Sequence, residues 1–181
     1  MISLKNKNIF IAGGSGYLGS VLCEEILKLE GNIFLADLDI KRSELVIKKL
    51  QKKYPKSKII FSHLNMIEPE SISKNIKLAY QKLKYIDGLV NATFGSTSDK
   101  LSELTAEKFN KANQINLTGS FLLMRGVANK MKKGGSIVMF ASMYGLVSPK
   151  MEMYPKNINP NPIEYGAGKA GLNQMVKYFS S

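Results

Sequence analysis

Residues 12–19 read Ala12-Gly13-Gly14-Ser15-Gly16-Tyr17-Leu18-Gly19, between a short apolar run and a longer amphipathic one. Glycines let a backbone turn tightly and approach a ligand closely. Where such a turn joins a strand to a helix, the first N–H groups of the helix and its dipole favour a phosphate. The stretch therefore predicts a turn that binds a pyrophosphate through Gly13, Ser15, Gly16, Tyr17, Leu18 and Gly19.

Outward from this turn, short apolar runs alternate with longer amphipathic stretches, which is typical of βα units around a parallel sheet. The predicted strands are Asn8–Ala12, Asn32–Ala36, Lys58–Ser62, Gly88–Asn91 and Ser136–Ala141. The predicted helices are Tyr17–Glu30, Ile40–Lys53, Pro69–Lys82, Ala106–Lys132 and Ile163–Ser180. The pattern predicts an α/β fold, a doubly wound parallel sheet of the Rossmann type in three α/β/α layers. Residues 1–181 are expected to form one dinucleotide-binding domain.

An acidic residue, Asp37, lies at the end of the second predicted strand. A carboxylate there can accept hydrogen bonds from both hydroxyls of an adenosine ribose and repels a 2′-phosphate, which favours NAD over NADP. Lys41 and Arg42 follow closely and keep NADP open as the alternative. A glycine turn beside a solvated aspartate, without any cofactor, is the remaining interpretation.

Charge is the most unusual feature of the composition, with 26 Lys and Arg against 14 Asp and Glu and a net charge of +12. Nearly all of the positive charge is lysine, because Arg42 and Arg125 are the only arginines. The densest patch, Lys48 to Lys58, lacks arginine and an interleaved series of aromatic residues. The charge therefore indicates a solvated lysine-rich surface. Nucleic-acid binding, which would require affinity that falls steeply with salt, is a minor alternative.

The remaining composition fits a protein of the cytoplasm. The chain has 181 residues, of which 44% are hydrophobic, enough for one domain with a sizeable core. Its single cysteine, Cys23, excludes an internal disulfide, fits a reducing compartment and is expected to be a buried small hydrophobe. No signal peptide, membrane span of about 18 apolar residues or metal site is predicted.

Two residues of the last predicted helix, Tyr165 and Lys169, are four positions apart and so share one helix face. An ammonium beside a phenol favours the phenolate and lowers a pKa that is normally about 10. Such a pair can move a proton at a substrate hydroxyl or carbonyl. Tyr and Lys with this spacing also occur by chance on helix surfaces, so the prediction depends on the glycine-rich turn and an upstream serine.

Taken together, the glycine turn, Asp37, the run Leu89-Val90-Asn91-Ala92 and the Tyr165–Lys169 pair resemble the short-chain dehydrogenase/reductase family, over essentially the whole chain. The resemblance implies that Asn91 lies beneath the adenine ribose. It also implies that Asn65, in place of the usual aspartate, accepts a hydrogen bond from the adenine amino group.

Three further residues depart from the family pattern. Tyr17 replaces a glycine of the turn, as in sugar-nucleotide-modifying relatives, and Thr93-Phe94 replaces the usual Ala-Gly. The second change leaves the shape of this loop open.

The same resemblance implies four catalytic residues. Asn116 would hold a water in a proton relay, and Ser142 would hydrogen-bond the substrate oxygen and polarise it. Tyr165 would be the general acid/base, while Lys169 would lower its pKa and bind the nicotinamide ribose. Each residue alone has a structural explanation: a helix-bending Asn, a strand-end Ser, an exposed Tyr. Their joint occurrence in this order favours catalysis.

The implied reaction is hydride transfer between NAD(H) and a secondary alcohol or ketone of a polar small molecule such as a sugar derivative. The alternative is a non-catalytic dinucleotide-binding or assembly protein of the same origin. The long irregular stretch Leu146–Pro162, with four prolines, is predicted to be a binding loop or lid. With its flanking runs, it most resembles oxidoreductases of flagellin modification and nonulosonic-acid-type sugar synthesis.

The chain stops at Ser181, inside the last predicted helix. Family members normally continue with a sixth strand, a loop over the nicotinamide, a substrate-covering helix and a seventh strand. A fragment of a longer protein is therefore expected, with a truncated product of impaired activity as the alternative. Relatives pair through the two long helices predicted at Ala106–Lys132 and Ile163–Ser180, which implies a homodimer or homotetramer.

Overall fold

Five parallel strands form one sheet in the computed structural model, which describes residues 2–131, 134–155 and 157–181. The strands are β1 (Asn8–Ala12), β2 (Asn32–Asp37), β3 (Ile59–His63), β4 (Gly88–Asn91) and β5 (Ser136–Met139). Their order is β3-β2-β1-β4-β5. The chain therefore reverses direction across the sheet beside β1. At such a switch point the carboxyl ends of the strands leave a crevice for a ligand. The predicted doubly wound sheet is confirmed.

The helices lie between the strands and after the last one. They are α1 (Tyr17–Lys28), α2 (Ile40–Lys53), α3 (Pro69–Leu83), α4 (Ala106–Asn113), α5 (Ser120–Ala128) and α6 (Ile163–Phe179). Side chains cap two of them: Asp39 accepts from the Arg42 N–H at 2.9 Å, and Thr105 accepts from the Lys108 N–H at 3.3 Å. Among the described residues, no helix has the length and apolarity needed to cross a membrane.

Most predicted boundaries agree with the structure, and those of the other elements, apart from the end of Ala106–Lys132, differ by one or two residues, as expected at element ends. The end of α1 has a specific cause. Glu30 has φ +66°, its N–H donates to Leu27, and the Gly31 N–H donates to Ile26. This left-handed C-terminal motif stops the helix at Lys28, so its predicted extension to Glu30 was wrong. Strand β5 likewise ends at Met139 rather than at Ala141.

The predicted helix Ala106–Lys132 is not one α-helix. A π-helical segment, Gln114–Gly119, separates α4 from α5, and α5 ends at Ala128; Lys132 lies outside the described residues. The backbone of this segment packs closely against Met66, because a Cβ added at Gly119 would lie 2.3 Å from the Met66 carbonyl oxygen. A single apolar periodicity could not reveal such a local change of helix type.

Successive residues of β1 point to opposite faces of the sheet and enter two separate cores. Phe10 belongs to the core under α3 and α5, where its ring lies 5.0 Å from that of Phe34. Ile11 belongs to the core under α1 and α2, together with Cys23. Cys23 is fully buried, as predicted, and burial raises the pKa of its thiol to about 12, which makes it unreactive.

Candidate active site

The glycine-rich turn joins β1 to α1 and requires glycine at specific positions. Gly13 has φ +76°, and an added Cβ there would lie 2.9 Å from the Ala92 backbone carbon. At Gly19, in the first turn of α1, a Cβ would lie only 2.0 Å from the Gly13 carbonyl oxygen. The Gly16 N–H donates to that same oxygen at 3.1 Å. The backbone is thus compressed around the helix N-terminus, as a pyrophosphate cradle requires.

The carboxylate of Asp37 lies beside this turn. Its Oδ2 accepts from the Ser15 N–H at 2.9 Å and its Oδ1 from the Asp39 N–H at 3.1 Å. The Arg42 guanidinium is 3.6 Å from Oδ1 and also donates to the Ser15 hydroxyl at 3.1 Å. A carboxylate has about four acceptor positions, so ribose hydroxyls can still bind it. The turn and Asp37 together fit a dinucleotide.

Two predicted residues of the turn direct their side chains to solvent. Tyr17 is 90% exposed and Leu18 is 49% exposed. Both open α1. We therefore expect them to act through the free N–H groups at the start of the helix rather than through their side chains.

The two asparagines predicted to contact adenosine have internal partners. Asn91 is buried at the end of β4, donates to the Ser120 hydroxyl at 3.0 Å and accepts twice from Thr93. Asn65 follows β3, donates to Glu68 at 2.8 Å and accepts from the Ile67 N–H at 3.1 Å. Its side-chain oxygen retains a second lone pair for a ligand, whereas the Asn91 side chain joins the sheet to α5.

Three of the four predicted catalytic residues meet near the carboxyl end of β5. Lys169 is buried in α6, its Nζ donates to the Phe140 carbonyl at 2.6 Å, and it lies 5.5 Å from the centre of the Tyr165 ring. Burial lowers the pKa of Lys169 below its usual value. Ser142 begins the 3₁₀ turn Met143–Gly145. That turn packs closely against α6, since a Cβ added at Gly145 would lie 2.7 Å from the Lys169 carbonyl carbon.

The fourth residue, Asn116, clamps the loop after β4. It is buried in the π-helical segment, where its amide donates to the Gly95 carbonyl and accepts from the Gly95 N–H, each at 2.8 Å. The segment also packs on α6, because a Cβ at Gly168 would lie 2.8 Å from the Asn116 Cβ. Helix interruptions of this kind are frequent at functional sites. The side-chain amide therefore binds the loop, and the water contact expected of Asn116 stays a prediction.

Sequence reasoning missed a second clamp on the same loop. Glu164 has no exposed surface, although it directly precedes Tyr165, and one of its oxygens accepts from both the N–H and the hydroxyl of Thr97 at 2.9 Å. Its other oxygen, Oε2, is buried without a protein partner. Phe94, at the start of this loop, meets the Tyr165 ring edge-on with centroids 6.5 Å apart. An acid in a first helical turn is usually exposed, so the sequence offered no signal.

The arrangement places phosphate and ribose partners at the ends of β1 and β2 and acid/base groups beyond the end of β5. All lie at the same edge of the sheet, since the register pairs Ala12 with Ala36 and Asn91, and Asn91 with Met139. The described residues contain no group of three His, Cys, Asp or Glu side chains that could hold a metal ion. Chemically, the site can bind a dinucleotide and move a proton next to it.

Comparisons with known proteins show the family of the chain. A family model described as short chain dehydrogenase matches residues 7–181. Post-translational flagellin modification protein A of Campylobacter coli is 30% identical over 178 residues, which cover 95% of this chain and 69% of the relative. Alcohol dehydrogenase 2 of Ceratitis cosyra is 33% identical over 146 residues. That match spans 80% of this chain and only 55% of the relative.

Solved structures share the fold at lower identity. A short chain dehydrogenase/reductase from Burkholderia phymatum in complex with NAD superposes with a TM-score of 0.86 at 20% identity. The match covers 99% of this chain and 60% of that one. One from Mycobacterium marinum superposes equally well, at 0.86 and 20% identity, over 98% of this chain and 69% of that one.

Proposed function

Because the chain belongs to the short-chain dehydrogenase/reductase family, we propose that it transfers a hydride between NAD(H) and a secondary alcohol or ketone. The observation that carries the proposal is the buried Lys169 ammonium beside the Tyr165 ring, next to the turn that Ser142 begins. Burying a cation costs free energy, and ionisable groups with shifted pKa values are concentrated at functional sites. The chain matches only part of the length of these relatives. The activity is therefore a proposal about the whole protein.

In the oxidation direction, Tyr165 takes the proton of the substrate hydroxyl. Ser142 donates a hydrogen bond to the same oxygen and orients it, while the Lys169 charge favours the phenolate form of Tyr165 that accepts the proton. Asn116 and Glu164 hold the loop after β4 against these groups. When bound, the nicotinamide accepts the hydride. In the reverse direction Tyr165 returns the proton to the carbonyl oxygen.

We propose NAD rather than NADP as the cofactor, on the strength of the buried Asp37 carboxylate. We expect the protein to bind NADH at least tenfold tighter than NADPH, because a 2′-phosphate would face this carboxylate. The Asp37→Ser variant lacks the charge that repels the 2′-phosphate. The Arg42 guanidinium, which is 3.6 Å from the Asp37 carboxylate in the wild type, can then bind that phosphate. NADPH should then bind about tenfold tighter than before and NADH about tenfold weaker, measured by fluorescence titration.

Asp39→Asn is the matched control, because it removes a charge 3.8 Å from Arg42 and retains an oxygen to cap α2. Its ratio of NADH to NADPH affinity should equal that of the wild type. An Asp37→Ser variant that keeps the wild-type ratio would contradict the assignment of Asp37 to the ribose.

The proposed substrate is a polar small molecule, in particular a sugar derivative. The resemblance of the Ser142–Tyr165 region to sugar-modifying oxidoreductases supports this class, as does a relative named for flagellin modification. We propose that the protein is located in the cytoplasm, because the free and buried Cys23 fits a reducing compartment. We also propose assembly as a homodimer or homotetramer through the surface formed by α4, α5 and α6.

The function is tested by following NADH consumption with a panel of ketoses and cyclic ketones. Turnover of at least one member, saturable in both NADH and ketone, is the expected result. Tight NADH binding without turnover of any member would instead favour the rival function, a non-catalytic dinucleotide-binding protein.

A further inference from the structure

A polar pocket adjoins the catalytic residues and has no part in the mechanism above. It has a volume of about 300 Å³, at the lower end of the range for small-molecule sites. Hydroxyl and amide groups line it, from Ser96, Ser98, Tyr144, Tyr154, Asn159 and Asn161. Among the residues that the structure describes, no charged side chain lines it. The pocket therefore suits a neutral ligand rich in hydrogen-bonding groups.

Two hydrogen bonds hold the lining of this pocket together, and the second of them joins its two walls. The phenol oxygens of Tyr144 and Tyr154 are 2.5 Å apart, and the Asn159 amide donates to the Ser98 carbonyl at 3.4 Å. The bond to Tyr154 raises the pKa of Tyr144 above its usual value, so this phenol stays neutral. One phenol donates to the other, which leaves one hydroxyl hydrogen and several lone pairs of the pair free for a ligand.

The pocket walls are attached to the catalytic residues themselves. The Tyr144 N–H donates to the Ser142 hydroxyl at 3.2 Å. The Tyr144 carbonyl also faces α6, since a Cβ at Gly166 would lie 3.0 Å from its oxygen. On the opposite wall, Thr97 lies between Ser96 and Ser98 and is held by Glu164, the neighbour of Tyr165. A substrate whose reacting carbon lies at Tyr165 can thus extend toward the pocket.

We propose that this pocket binds hydroxyl groups of the substrate away from its reacting carbon, and that the substrate is consequently an uncharged polyhydroxylated molecule. The inference rests on the proposed function and deepens it. A carboxylate or phosphate would find no cation among the described side chains that line the pocket. Hydroxyls, by contrast, can both donate to and accept from the phenols and amides. Tyr154 and Asn159 belong to the long stretch after Ser142, so the role of that stretch in this proposal is to line a substrate pocket.

The test compares Tyr154→Phe with the wild type, because this change removes one hydroxyl and keeps the ring. Tyr178→Phe is the matched control, since Tyr178 is 78% exposed near the end of α6. Binding of xylitol, ribitol and sorbitol is measured by saturation-transfer NMR with and without NADH, and oxidation of these polyols is compared with that of cyclohexanol. Binding of at least one polyol should weaken about tenfold in Tyr154→Phe, the effect of one lost hydrogen bond.

Cyclohexanol has no second hydroxyl, so its kcat and KM should be unchanged in Tyr154→Phe and in the control. Equal losses for cyclohexanol and the polyols would assign Tyr154 a structural role and overturn the proposal. Wild-type polyol affinity in Tyr154→Phe, or no binding of any of the three polyols up to their solubility, would also overturn it. Failure of the proposed function is distinguishable, because it removes turnover of every substrate and leaves polyol binding measurable.

Discussion

Replacing Tyr165 by phenylalanine is expected to lower kcat by about 10³- to 10⁴-fold while leaving NADH affinity within a few-fold of the wild type. The change removes only the phenol oxygen, so no group remains to take or return the substrate proton. The ring keeps its edge-on contact with Phe94 and its place above Lys169, so the fold should be unaffected. Steady-state kinetics and an NADH titration on the same preparation separate the two effects.

Tyr178→Phe serves as the control for a lost tyrosine hydroxyl on the same helix, and it should turn over substrate like the wild type. Ordinary turnover by Tyr165→Phe would remove Tyr165 from the mechanism. The loss of NADH binding together with turnover would show instead that the phenol supports the cofactor site rather than the proton transfer.

Replacing Gly19 by alanine is expected to disrupt the dinucleotide site. A Cβ at this position would lie 2.0 Å from the Gly13 carbonyl oxygen and 2.8 Å from the Gly14 Cα, so the backbone of the turn must move. Because these contacts are with backbone, no rotamer change relieves them. We expect NADH affinity to fall at least tenfold and the free energy of unfolding to fall by about 3 kcal/mol, measured by urea denaturation.

Gly126→Ala is the control for adding a methyl group to a helical glycine. Its Cβ would meet the Cδ1 atom of Ile76 at 2.5 Å, the tip of a flexible side chain that can turn away. Alanine also favours a helix by about 1 kcal/mol over glycine, so stability should change little. NADH affinity in Gly19→Ala equal to that in Gly126→Ala would contradict the assignment of the glycine turn to the cofactor.

The sheet and the glycine-rich turn could be predicted from sequence because their signals are local. A parallel strand buried on both faces is a short apolar run, and the turn after β1 needs glycines whatever the surrounding structure does. The Tyr165–Lys169 pair was likewise readable, since helix periodicity alone places the two side chains on one face.

The supporting contacts around the catalytic groups could not be predicted, because they join residues far apart in the chain. Glu164 meets Thr97 and Asn116 meets Gly95 only after α4, α6 and the loop after β4 have packed together. The π-helical segment at Asn116 likewise has no propensity signal of its own. The end of α1 at Lys28 could not be predicted either, because it depends on Glu30 having φ +66°, a backbone conformation that residues other than glycine rarely adopt.

Direct detection of hydride transfer tests the proposed reaction most sharply. The protein is incubated with NADH carrying deuterium at the transferable position and with D-xylulose or cyclohexanone, and the alcohol product is examined by mass spectrometry and NMR. We expect deuterium on the carbinol carbon of the product, with the hydroxyl proton drawn from solvent through Tyr165. Bound NADH that keeps all of its deuterium in the presence of every ketone tested would contradict the assignment of this site to hydride transfer.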